Sequence, residues 1–184
     1  MPTIRSLVLL LAAAAAGCGD DDSLPEPTRE NFVDTVTVGS LTDTPVTTAS
    51  GFSVSAGAVR TDLDASFDFA YDIQGTPDTG HSVLLPRAAL GITSGSSAEP
   101  GVMRQDAAFD AIEVAPSNGY VTEEAVPVAL GERYIVRSRI VCDIGVPVYA
   151  KVEILGMEDN SLVLKVLSNV NCGYRGLEPG FPDR

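Results

Sequence analysis

From Phe32 onward, apolar and polar side chains alternate in short runs separated by turn residues, the period of strands with one buried face. Residues 32–38 are rich in β-branched side chains and stop at Gly39 and Ser40, and residues 51–56 alternate apolar with small polar positions. The clearest two-residue period spans 66–73. It puts Phe67, Phe69, Tyr71 and Ile73 on one face, expected in the core, and Asp68 and Asp72 on the other, expected in solvent. Residues 108–115 alternate apolar with acidic positions and end at the turn residues Pro116, Ser117, Asn118 and Gly119. Pro127 lies inside a short apolar run at 126–131, and because proline lacks the N–H that a central strand needs, that run is expected at a sheet edge. The most regular block predicts a three-strand antiparallel meander over 134–141, 148–155 and 162–170, followed by an irregular tail lying across the sheet end. The whole pattern predicts an all-β, mainly antiparallel fold, a β-sandwich or rolled open sheet with little helix and the meander at its C-terminal side.

The first 31 residues follow a different rule. Arg5 supplies a positive flank, and the apolar run from Leu7 to Ala16 is too short for the roughly 20 residues of a membrane-spanning helix. The small residues Ala15, Ala16 and Gly17 directly precede Cys18, the arrangement that lipoprotein processing reads. Residues 1–17 are therefore expected to be a cleaved lipoprotein signal peptide and Cys18 the lipidated first residue, held by several acyl chains because one anchors only marginally. Residues 18–31, with Asp20, Asp21, Asp22, Pro25 and Pro27, have little to bury and read as a disordered tether; residues 32–184 read as a single β domain. Gly19 after the lipidated cysteine favours the outer membrane of a Gram-negative cell envelope, by analogy with sorting in enteric bacteria.

Charge narrows the partners. The formal net charge is −13, from 25 acidic and 12 basic residues, and it becomes one unit more negative when Arg5 leaves with the signal. Such a field repels phosphate backbones, so no nucleic acid is expected among the partners; those expected are the membrane, through the anchor, and an envelope protein or small ligand. With Cys18 assigned to lipid, Cys142 and Cys172 remain, and outside the cytosol a disulfide is their default state. Their strands run the same way with a third between them, roughly 9 to 10 Å apart, whereas a disulfide needs Cα atoms within about 7 Å. The residues beyond the strands are therefore expected to curl together.

Candidate chemistry is sparse. The three consecutive aspartates at 20–22 cannot converge on one ion and lack calcium-loop spacing, and of Asp62, Asp64, Asp68 and Asp72 the last two are explained by a solvated strand face, so no metal is expected. His81, the only histidine, sits beside a turn glycine and reads as an exposed loop residue. The small-residue loop at 93–97 lacks the Gly-x-Ser-x-Gly spacing of a nucleophile elbow, with Thr93 at the centre of residues 91–95. The expectation is a non-enzymatic protein without a cofactor.

The order of blocks resembles the HmuY-like family of bacterial outer-membrane lipoproteins, which are β-rich haem-binding proteins. The resemblance rests on the lipidated cysteine and tether, Phe67 to Tyr71, the loop from Thr93, Phe109 to Ile112, Ala115-Pro116, Gly119 to Val121, Tyr134 to Arg137 and Tyr149 to Val152. It implies a β architecture and, as the alternative function, a haem or small-ligand scavenger. The family's axial ligands lie on an insertion that here is reduced to residues 122–133, without His or Met, so none carries over. The only pair left to try is His81 with Met103.

Overall fold

The computed structural model describes residues 24–75, 79–96 and 98–183, so the expected signal peptide, Cys18 and the first part of the tether lie outside the described residues. The described strands form two antiparallel five-stranded sheets. In spatial order the first holds β1 (Val33–Gly39), β10 (Ser161–Asn169), β9 (Pro147–Glu158), β8 (Arg133–Ile140) and β6 (Gly101–Gln105). The second holds β3 (Gly57–Val59), β2 (Gly51–Ser53), β4 (Phe69–Gln74), β5 (His81–Pro86) and β7 (Val126–Pro127). Helical geometry among the described residues is confined to two short 3-10 turns, Arg87–Leu90 and Phe109–Ala111.

Local chemistry accounts for the frame. The meander of β8, β9 and β10 is present, and Asp159 and Asn160 turn the chain between β9 and β10 at φ of 50° and 59°, the left-handed geometry that two-residue hairpin loops require. Pro127 pairs with Val83 from the outermost strand of its sheet, where its missing N–H interrupts no ladder. Alternate residues of the meander, among them Tyr134, Val136, Ala150, Val152, Ile154, Leu162 and Leu164, meet Phe52, Val54, Phe69, Tyr71 and Leu84 of the second sheet in one core. Phe52 and Phe69 stack there with ring centroids 5.1 Å apart. Two strands carry no alternation that predicts them: β3, and β6, where Met103 pairs with Ile135 of β8.

The face of the first sheet turned away from this core is also covered. Residues 108–115 are not a strand. Phe109 opens a 3-10 turn, and Phe109, Ile112 and Ala115 bury themselves at three-residue spacing against Ile135, Tyr149 and Leu167. The tail crosses this outer face rather than the sheet end, bringing Leu177 into the same cluster. Lys151 is 2% exposed, its Nζ donating to Ile112 O at 2.9 Å and standing 4.7 Å from the centre of the Phe109 ring, which Lys165 Nζ also approaches to 4.1 Å. Because Leu177 is fully buried in this satellite core, Leu177→Ala is expected to cost about 2 to 4 kcal/mol in urea unfolding.

Two further expectations are corrected. The tether does not extend to residue 31: Thr28 N and Arg29 N donate to Asn171 Oδ1, Asn171 Nδ2 donates back to Arg29 O, and Asn31 forms a two-way backbone bridge with Gly180. These side-chain bonds replace the hydrophobic burial the stretch lacks. Nor do Asp68 and Asp72 face solvent, at 1% and 8% exposure. Asp72 is covered by the loop after β1, accepting from Ser40 Oγ at 2.7 Å and from Thr42 Oγ1 at 2.9 Å. Phe67 is buried but lies outside the core cluster that holds Phe69 and Tyr71, with the Arg87 guanidinium 6.0 Å from its ring centre.

Candidate functional site

The sandwich opens where β1 and β3, an outer strand of each sheet, approach one another. A cleft of about 480 Å³ enters there, its apolar wall made by Val36, Phe52, Val54 and Val166 and its rim by Arg29, Glu30, Asp34, Ser55 and Ser168. Alternation explains the wall: Val36 and Val166 are inward positions of β1 and β10, and Val36 is only half-buried because β3 is three residues long. Phe32, 68% exposed, stands at the mouth.

A second chamber of about 510 Å³, shallower and wider open to solvent than the first, adjoins it and shares Arg29, Ser55 and Val170 with it. Its other lining residues are Thr28, Arg139, Ile140, Val141, Cys142 and Cys172. Cys142 and Cys172 form a disulfide with Cα atoms 5.8 Å apart, so the segments beyond β8 and β10 do curl together, and the bridge becomes part of the chamber wall.

One buried carboxylate fixes both chambers. Asp68 Oδ2 accepts from Val54 N at 2.8 Å, holding the turn between β2 and β3, and Oδ1 accepts from Arg139 N at 2.9 Å, holding the irregular end of β8. Burial pushes the Asp68 carboxyl up to about 6, against the opposing pull of the two N–H bonds and of the Arg139 and Arg87 charges. Ser138 holds the same irregularity from within: its Oγ accepts from Val148 N at 2.9 Å and donates to Arg139 O at 2.6 Å.

The other residues singled out in the sequence are dispersed. His81 is exposed at the start of β5, opposite Gln74, and Met103 lies in β6 of the other sheet; neither lines either chamber. Asp62 pairs with Arg60, and that hydrogen bond holds its carboxyl below the usual range; Asp64 bonds Ser66 N and Oγ, and the Oγ bond is the main cause of a similar lowering. Among the described residues no group of three or more His, Cys, Asp or Glu side chains is placed to hold a metal ion. In the small-residue loop, Ser94 Oγ donates to Glu99 Oε1 at 2.8 Å and Gly95 N to the same oxygen, so that carboxylate closes the loop.

No family model, curated protein or solved structure matches this chain. The site therefore rests on its own geometry. Sequence reasoning missed Arg29, Ser55 and Arg139, which carry no motif, and it placed Asp68 in solvent. A signal for Asp68 existed in its position between two aromatic residues, Phe67 and Phe69, directly before β4, a strand buried on both faces.

Proposed function

We propose that this is a lipid-anchored cell-envelope protein whose β domain binds a small ligand in the cleft between β1 and the turn joining β2 to β3, without chemistry of its own. The observation that carries the reading is the cleft itself: concave, apolar-walled, polar-rimmed, and within the range of about 300 to 1,000 Å³ typical of ligand pockets. Its place in the chain fits an anchored protein. Arg29, at the mouth, follows the expected lipid attachment at Cys18 by 11 residues (29 − 18), a reach of at most about 40 Å when extended, which keeps the opening near the bilayer. A ligand scavenger of the HmuY-like kind is compatible with such a cleft. Haem held by His81 and Met103 is the less favoured form of it, because those residues sit on different sheets and away from the cleft.

Ser55 is exposed and lines both chambers, so Ser55→Trp plugs the mouth without touching the core. Mass spectrometry of protein extracted from the envelope is expected to show acyl mass on Cys18 in both forms, and a non-covalent small molecule on the parent that the Ser55→Trp protein lacks. Protein without acyl mass, or a co-purified molecule retained equally by both forms, overturns the proposal.

A further inference from the structure

The two chambers differ in chemistry, and that difference specifies a ligand. The first is walled by Val36, Phe52, Val54 and Val166, while the second is lined by Arg29, which it shares with the first, and Arg139, with no carboxylate in its lining. In a chain with 25 acidic and 12 basic residues, a polar chamber lined by two arginines and no acid departs from the overall charge balance, with Asp64 and Asp68 near Arg139 but outside the lining. The acids of the site, Glu30 and Asp34, line the apolar chamber instead.

The arginines are suited to hold an anion. Arg139 is half-buried, and its Nε donates to Ser66 O at 3.2 Å, which fixes the plane of the group, while its backbone N is tied to the buried Asp68. Arg29 is exposed, with its backbone held on both sides by Asn171, so the base of the side chain is fixed where the chambers meet. Guanidinium groups match a planar carboxylate in both charge and hydrogen-bond geometry.

We propose that the joined chambers bind a single-chain fatty carboxylate, its hydrocarbon tail against the apolar wall of the first and its head between Arg29 and Arg139 in the second. This rests on the binding reading above and names the ligand class. The tail accounts for an apolar chamber open to solvent, the head for the exclusion of acids from the polar one, and Ser55 and Val170 mark the passage between them.

The test uses the full chain in its native envelope, with palmitate carrying a photoactivatable diazirine on the chain and the matching fatty alcohol as control. After illumination, palmitate is expected to label residues of the apolar wall more strongly than the alcohol. Arg29→Gln is expected to reduce palmitate labelling about tenfold, the loss of one charge-assisted hydrogen bond, and to leave the alcohol unchanged; Arg29→Lys is expected to recover part of it. Ser55→Trp is expected to abolish labelling by both. Because Arg139 also holds the end of β8, Arg139→Gln is scored only alongside a thermal melt, and Arg29→Gln decides the outcome. Equal labelling by acid and alcohol, labelling outside the cleft, or stronger labelling by a single-chain phosphate overturns the assignment. If palmitate fails while Ser55→Trp still sheds a co-purified molecule, this inference falls and the binding reading stands.

Discussion

Asp68→Ala is expected to lower stability by about 3 to 5 kcal/mol at acid pH, because it leaves the N–H groups of Val54 and Arg139 buried without an acceptor and opens a cavity between the sheets. The pH dependence has a definite sign. The folded protein binds the Asp68 proton more tightly than the unfolded chain, at about 6 against the ordinary value of 3.8, so this group's contribution is complete below about pH 4. It is lost as pH rises through about 6 and is constant above that. The difference corresponds to roughly 3 kcal/mol at most, at about 1.4 kcal/mol per pH unit. Urea denaturation of parent and variant between about pH 4 and 7 therefore measures a gap that narrows towards neutrality; a gap that widens would mean that the two N–H bonds outweigh burial.

The second large effect is expected from removing the disulfide. Cys142→Ser with Cys172→Ser frees a loop of 30 residues and should cost roughly 3 to 4 kcal/mol by the chain-entropy argument. The consequence is local as well as global, because the bridge walls the second chamber and immediately follows Asn171, which fastens Thr28 and Arg29. Hydrogen exchange in the double variant should accelerate at Thr28, Arg29 and Val170 before it does at the centre of β9. Uniform acceleration would show that the bridge acts only on the unfolded chain.

The parts of the fold legible in the sequence are those where one physical signal dominates. The meander has long alternating strands, the edge position of β7 follows from Pro127, and Cys142 and Cys172, the pair expected to bond in a chain read as exported, do form the disulfide. Alternation fails where its premise fails. It says on which side of a strand a residue lies, not whether that side is covered, and β4 is covered on both: Tyr71 faces the core while Asp72 sits beneath the loop that follows β1. Residues 108–115 alternate loosely, but Phe109, Ile112 and Ala115 recur every three positions, and the sheet face they cover selects that period. The cleft was the least legible feature. Arg29 lies in a stretch with nothing to bury, and its order depends on Asn171, 142 positions away, a contact that no local pattern announces.

The clasp between residues 28–31 and the last turn of the chain has a mechanical consequence. Traction applied to the N-terminal side reaches Asn171 before it reaches β1, and Asn171 neighbours the bond from Cys172 to Cys142 at the end of β8. Tension is thereby diverted past the exposed outer strand into the interior of the sheet, so that β1 is not peeled from β10 pair by pair until the asparagine has let go.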